Sequence, residues 1–398
     1  MEPDASAPAG KIAAAAPDDR DDRDARDSLD AVDTLNAWRG RRVCVLLAKD
    51  RPGGLVGYVG DLVKTLREHG VRTRLLAAAS DGADALRARL GGEDFIEPTL
   101  GPLPGVVRHE AAAADAALIH TAKFPPDTRF AWRLLGLRTP VVELLHGLPR
   151  RPAVRATRSA LYAIRGSRSY RLFVLNNEML RMVEREAPSL APYSGVVLSG
   201  TRLPSMREAV PQNPTPVVVS VTRLDETSKD CGTFIRAAAE LKRRGVAATS
   251  ILVGDGDDRA ALETLNSSLG QPVEFAGWHP DPLSIVAKAD VFVLSTKGEA
   301  FGRATAEASA LGLPVIASDV MGCRDVVRDG RTGLLVPPGD TAALADAVAA
   351  LLSDTVKRAE FGRAGAAHVQ RFSIERHAGT LLAAADGMGS RDGGRPRA

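Results

Sequence analysis

Short apolar runs alternate with helix-patterned stretches twice along this chain, and a cluster of prolines separates the two series. The first series is RRVCVLLA (41–48), TRLLAAA (73–79), AALIH (116–120), PVVELL (140–145), RLFVL (171–175) and SGVVL (194–198). The second is PVVVSV (216–221), TSILVG (249–254), PVEFAG (272–277), DVFVLS (290–295), LPVIAS (313–318) and GLLVP (333–337). Between them lie helical patterns. GYVGDLVKTLREHG (57–70) places Val59, Leu62, Val63 and Leu66 at helical spacing and stops at Gly70, and CGTFIRAAAELKRRG (231–245) is a second example. Strands that are apolar almost throughout need cover on both faces, which parallel sheets obtain from their crossover helices. Pro204, Pro211, Pro214 and Pro216 can neither continue a helix nor sit in a central strand, so the linker falls there. The expected fold is α/β: two doubly wound, Rossmann-like domains facing a central cleft, with ligands at the carboxyl ends of the strands.

The expected boundaries are 41–205 for the first domain and 213–371 for the second, with a C-terminal helix at 372–388. Residues 1–40, which include DDRDDRDARD, and the tail at 389–398 read as unstructured, because little there could bury itself. With 398 residues and 44% hydrophobic content, two ordinary cores are affordable in length and composition. Aromatics are only 4% and 52 basic residues face 49 acidic ones, so no nucleic-acid partner is implied. Cys44, Cys231 and Cys323 are too far apart for a local CxxC metal or redox site, and a reduced, cytoplasmic setting is expected. No apolar run reaches the roughly 18 residues of a membrane span, and no basic-then-apolar signal opens the chain.

The richest stretch for chemistry is TKGEAFGRATAEASALGLPVIASD, residues 296–319. A helix starting near Gly302 leaves the amides of Ala300, Phe301, Gly302 and Arg303 unpaired, and such a terminus suits a phosphate. Carboxylates do not bind phosphate but do accept hydrogen bonds from hydroxyls. Glu299 and Glu307 around those amides therefore fit a ligand with sugars on either side of a diphosphate, although a capping Glu299 and a solvated Glu307 would satisfy the same spacing. VTRLDETSKD (221–230) places Arg223 and Lys229 in the loop after a strand, where two cations would neutralise a diphosphate. LVGDGDDR (252–259) lacks the third glycine of a dinucleotide fingerprint and follows the second strand of its domain, which argues against NAD. In the first domain, Gly53 and Gly54 follow the first strand and would let a ligand approach the backbone, and His146 ends PVVELL on the same cleft.

This set of residues resembles the family 4 retaining glycosyltransferases of GT-B fold, over nearly all of 41–388 and most strongly over 217–340. The matching motifs are V-x-R-L with a lysine six residues after the arginine, G-D-G after the next strand, G-E-x-F-G-x7-E-x5-G-x-P-V-I-A-S, and DGRTGLLVPPGD. The resemblance implies transfer of a sugar from a nucleoside-diphosphate sugar, which is the co-substrate, with no cofactor; no DxD-like pair stands where a metal-bound diphosphate would need it, so metal independence is expected. It implies that Arg223 and Lys229 hold the diphosphate, Glu299 the donor sugar and Glu307 the ribose, with His146 at the reaction centre. The Gly53–Gly54 loop and the amides at Ala300, Phe301 and Gly302 would face phosphates and sugar, Trp278 the base, and 372–386 would cross back to the first domain. Catalytic candidates are thus His146, Arg223, Lys229 and Glu299. The chain departs from the pattern at Ser199, where Asn is usual, at Asp230, where Gly is usual, and at Met321-Gly322-Cys323-Arg324 in place of a Gly-Gly-hydrophobic run.

The acceptor expected from this resemblance is a glycan or lipid-linked intermediate of cell-surface polysaccharide synthesis. Residues 150–171 carry Arg150, Arg151, Arg155, Arg158, Arg165, Arg168 and Arg171 without an acidic residue. Such a stretch could rest on the inner face of a membrane or remain a solvated face. A phosphorylase, an epimerase or a non-catalytic nucleotide-sugar binder are the competing readings.

Overall fold

The structure, a computed structural model, describes residues 31–48, 54–77, 90, 95–96, 103–121, 138–146, 169–186, 188, 190–208 and 213–389. Gly53, the Arg-rich stretch up to Arg168, and the outer parts of both chain ends lie outside the described residues.

Thirteen strands among those residues form two sheets. The first contains β1 (Arg42–Ala48), β2 (Arg72–Ala77), β3 (Phe95–Ile96), β4 (Ala116–Thr121), β5 (Val141–Leu145), β6 (Tyr170–Val174) and β7 (Ser194–Val196), in the order β3-β2-β1-β4-β5-β6-β7. The second contains β8 (Val217–Val221), β9 (Thr249–Val253), β10 (Val273–Gly277), β11 (Val291–Leu294), β12 (Val315–Ser318) and β13 (Gly333–Val336), in the order β10-β9-β8-β11-β12-β13. Every pairing within them is parallel. β5, β11 and β12 are buried along their whole length, which is why they are apolar apart from the buried Glu143 of β5 and Ser318 of β12. In each sheet the chain starts in the middle, runs to one edge, and returns on the other side of the first strand. The reversals, β1/β4 and β8/β11, create the crevices where a ligand enters a doubly wound fold.

Pro204, Pro214 and Pro216 lie in non-helical, non-strand backbone between the sheets. Nearby, Thr201 bridges to Ser373 and its amide bonds to Phe372 O at 2.9 Å. The helix Ile374–Gly389 then packs on the first domain, burying Ile374, Ala378, Leu381, Leu382 and Ala385 in one core with Leu35, Leu62 and Leu144. Phe301, Ala306 and Ala310 of the second domain join the same core. Among the described residues no helix is long and apolar enough to cross a membrane.

One boundary needs correction. The unstructured leader expected up to residue 40 ends earlier, because 31–37 is helical and Leu35 and Trp38 are fully buried. Trp38 Nε1 donates to Asp386 Oδ2 at 2.8 Å, and the Arg41 guanidinium stacks on the indole, 3.4 Å from its centroid. Gly379 makes the contact possible: a Cβ there would lie 1.7 Å from Ala31 O. The charged run at 18–27 hides an apolar stripe, Ala31, Leu35 and Trp38, at helical spacing.

Candidate active site

The site residues come from loops at the carboxyl ends of strands next to the two reversals. Lys229 and Glu299 meet: the loop after β8 carries the lysine, the loop after β11 the glutamate, and their side chains form an ion pair with both groups about one-fifth exposed. Thr296 fastens the two loops, donating from Oγ1 to Ser228 O at 2.8 Å, and Lys297 N donates to the same carbonyl at 2.9 Å. Arg223 stands nearer solvent, paired with Asp225, which also accepts from Ser228 Oγ at 3.0 Å.

Backbone proximity explains the G-D-G motif. Leu224 N donates to Asp255 O at 3.0 Å, while a Cβ on Gly254 would sit 1.8 Å from Thr222 O and one on Gly256 2.3 Å from Leu224 O. These glycines let one loop lie against the loop that carries Arg223, a structural need unrelated to a dinucleotide. Asp230 takes a left-handed conformation (φ 46°) where glycine would be free of strain. Its buried carboxylate accepts from Thr233 Oγ1 at 2.9 Å, a local bond of the kind that lets Asp tolerate this region.

The helix Arg303–Ala310 begins as expected, with Gly302 as its N-cap in a left-handed conformation (φ 79°). Ala300 N donates back to Glu299 Oε1 at 3.2 Å. The Phe301 ring turns inward, 5.2 Å from Phe372, so what this residue offers a ligand is its backbone. Gly322 props this loop from behind. Its amide donates to Glu299 O at 2.9 Å, and a Cβ would lie 2.4 Å from Ala300 C and from Phe301 N. Met321 in place of a glycine is therefore tolerated, whereas Gly322 is not replaceable without moving the loop. Gly322→Ala is expected to cost about 1–3 kcal/mol in denaturant unfolding through overpacking, and to weaken ligand binding at the loop. An unchanged denaturation midpoint would show that the loop yields freely.

Glu307 is not the solvated residue its helical position also allowed. Its side chain is 12% exposed, and Oε1 accepts from Arg303 Nε at 2.6 Å and from Thr201 Oγ1 at 3.1 Å. Arg303 also reaches Asp61 of the first domain, NH2 to Oδ2 at 3.1 Å. Asn176, just after β6, donates to Ala300 O at 3.3 Å, so the first domain touches the loop of Glu299 directly.

On the first-domain side, His146 stands at the end of β5, half-buried, its Nε2 3.3 Å from Nδ1 of His120 on the neighbouring β4. Tyr58 packs on His146 with ring centroids 4.7 Å apart, and its hydroxyl meets Nε2 of His377 at 2.5 Å. His377 Nδ1 lies 2.6 Å from Leu198 O. A carbonyl can only accept, so Nδ1 carries the proton and Nε2 accepts from Tyr58. Gly54 opens the helix Gly54–Glu68, exposed, with open space where a Cβ would stand. Trp278 follows β10 and is 72% exposed.

The sequence reading missed Tyr58, Asp61, His120, Asn176, Thr201, Arg303 as a side chain, and His377. His120 carried the same signal as His146, a histidine closing a strand, and Arg303 lay inside the motif already singled out. Asp61 and His377 had none, since their approach depends on how the domains pack.

Residues 215–354 match the family described as Glycosyl transferases group 1. A phosphatidyl-myo-inositol mannosyltransferase of Mycobacterium leprae is 29% identical over 342 residues, covering 81% of this chain and 90% of that protein. A D-inositol 3-phosphate glycosyltransferase of Nocardia farcinica is 38% identical over 178 residues, 42% of this chain and 39% of that protein. Among solved structures, Anabaena HepE in complex with UDP superposes with a TM-score of 0.71 at 21% identity, covering 87% of this chain and all of that one. Sucrose-phosphate synthase of Thermosynechococcus elongatus superposes with a TM-score of 0.66 at 23% identity, over 85% of this chain and 96% of that one. Residues 215–354 carry a glycosyl transferases group 1 domain, and the chain has the GT-B fold and is a glycosyltransferase.

Proposed function

We propose that this glycosyltransferase moves a sugar from a nucleoside-diphosphate sugar to an acceptor hydroxyl with retention of anomeric configuration, and that the cleft between the two sheets is where it does so. The observation that carries the reading is the meeting of Lys229 and Glu299 beside the start of the Arg303–Ala310 helix. A cation and helix amides answer a diphosphate, and a carboxylate answers sugar hydroxyls. HepE, whose complexes hold UDP and UDP-glucose, supports a nucleotide sugar as donor.

In the free site Lys229 and Glu299 neutralise each other. An arriving donor would separate them, the lysine turning to the phosphates and the carboxylate to the sugar. As the bond between the anomeric carbon and the phosphate oxygen breaks, negative charge grows on the diphosphate. Lys229, Arg223 and the amides of Phe301 and Gly302 are set to stabilise it without reorganising, usually the largest catalytic contribution. The acceptor hydroxyl attacks the oxocarbenium-like sugar from the face the diphosphate leaves, and its proton passes to the departing phosphate oxygen. His146, held by His120 and Tyr58, lines the approach to the anomeric centre. Arg223 and Lys229 already supply the cationic charge, so turnover should persist in EDTA.

The acceptor we propose is a glycan or lipid-linked intermediate of cell-surface polysaccharide synthesis. The two relatives named above carry inositol acceptors in their names, which puts such acceptors first among those to try. Contact of the Arg-rich 150–171 stretch with an anionic membrane is part of the same proposal, which liposome flotation at low salt would test.

Thermal shift with UDP, GDP, ADP and their sugars tests the donor. A ligand of the native state raises apparent stability by RT ln(1 + [L]/Kd), so the true donor stands out from the panel. NMR of the product then reads the anomeric configuration. An inverted product would sink the retaining mechanism, and no shift with any nucleotide would sink the donor assignment.

A further inference from the structure

The helices Gly54–Glu68 and Arg303–Ala310 belong to different domains, and each brings a pair of residues one turn apart to the same place. Gly57 and Asp61 face Arg303 and Glu307. The Arg303 guanidinium spans the gap, with Nε 2.6 Å from Glu307 Oε1 and NH2 3.1 Å from Asp61 Oδ2. Asp61 is 1% exposed, so this contact is made away from bulk water. The space for the guanidinium exists because residue 57 lacks a side chain: a Cβ there would lie 2.6 Å from Arg303 NH1. Any residue larger than glycine would displace the tip of the arginine.

Among the described residues, both hydrogen bonds to the Glu307 carboxylate, from Arg303 and from Thr201, fall on Oε1. Oε2 is the oxygen left to accept a hydroxyl. A carboxylate on a free side chain would have to be oriented on binding; here the orientation is set beforehand by an arginine that is itself fixed by the other domain. We infer that Arg303 is a positioning residue for the donor, which aligns Glu307 toward the ribose hydroxyls and, through Asp61 and the Gly57 gap, makes that alignment depend on the seating of one domain on the other. This rests on the reading of Glu307 as the ribose-binding carboxylate. Donor affinity is then coupled to the interdomain contact without Asp61 or Gly57 touching the nucleotide.

The test uses Gly57→Ala and Asp61→Asn. Alanine favours the helix interior over glycine, so the first variant should fold at least as well as the wild type while dislodging the guanidinium. Calorimetry is run with whichever of UDP, GDP or ADP the wild type binds, and with its 2′,3′-dideoxy analogue. Hydrogen bonds to a charged group are worth about 1.5–3 kcal/mol, so Gly57→Ala is expected to weaken the ribonucleotide by about tenfold. Asp61→Asn should weaken it less, and neither variant should change the affinity for the dideoxy analogue. Equal weakening of both ligands would reduce Arg303 to a general structural contact, and ribonucleotide affinities within twofold of wild type would overturn the inference outright. Absence of nucleotide binding by the wild type would instead remove the donor reading beneath it.

Discussion

Lys229→Ala is expected to lower the turnover of sugar transfer by about two to three orders of magnitude, the loss seen when one preorganised donor to a developing oxyanion is removed. Two features make this position more sensitive than its neighbour Arg223. The Lys229 side chain is 21% exposed and that of Arg223 59%, so water screens the second charge more effectively than the first. Lys229 is also the partner of Glu299, so its loss leaves a half-buried carboxylate beside the phosphates, where a second negative charge opposes binding. Lys229→Arg should rescue little, because a planar fork cannot occupy the place of a compact ammonium. The fold should be spared, since a partly exposed pair contributes little to stability. The measurement is single-turnover transfer at saturating donor, beside a melting curve. Turnover within a few-fold of wild type, with the protein folded, would mean that Lys229 does not meet the leaving group.

The strands were legible to within a residue or two because strands covered on both faces are mostly apolar, with few polar positions such as Glu143 and Ser220. β3, two residues long, left no such trace. The loops at strand ends were legible because chemistry concentrates charge and glycine there, and Lys229, Glu299 and Gly302 could be named from spacing. Sequence spacing does not report contacts between domains. Glu307 could be assigned a hydroxyl and its i,i+4 partner Arg303 lies on the same helix, but the contacts of Glu307 with Thr201 and of Arg303 with Asp61 depend on the second domain lying against the first. Gly57 illustrates the limit: within its helix it reads as a weak position, and only the packed structure shows an arginine in the missing side chain's place. The leader shows the reverse error, since the composition of 1–30 dominated a reading in which Leu35 and Trp38 already marked a buried helix face.

Acid should destabilise this protein well above the range where carboxylates usually titrate. His120 and His377 are buried between the first domain and the Ile374–Gly389 helix, 0% and 3% exposed. Burial, with the field of His377 second, lowers His120 to about 3, and burial lowers His377 to about 4. The geometry agrees with the direction. His377 satisfies Leu198 O and Tyr58 with a single proton, so a second one would force the Tyr58 hydroxyl to turn its own proton away, and His120 Nε2 is buried with no hydrogen-bond partner among the described residues to receive one. Tyr58, also buried, has its own pKa raised and stays neutral. In the unfolded chain both histidines titrate near 6.5, so below that pH the unfolded state binds protons the folded state refuses. Their stabilisation is complete above about pH 6.5 and is lost as pH falls toward 4 and 3. Asp325 works the other way: burial raises it to about 6, so the folded state binds its proton first and offsets one histidine between about pH 6 and 4. The net slope is then about 1.4 kcal/mol per pH unit over that interval, and shallower above pH 6, where the histidines of the unfolded chain are only partly protonated. Urea denaturation at pH 7 and 4.5 should show a drop of roughly 2–3 kcal/mol on this arithmetic. His377→Gln, which can still donate to Leu198 O, should remove about one proton from the slope. Because His377 holds the returning helix and His120 holds His146, transfer activity should decline over the same interval as stability. A midpoint independent of pH across that range, or an unaltered slope in His377→Gln, would show that these histidines take up protons without unfolding.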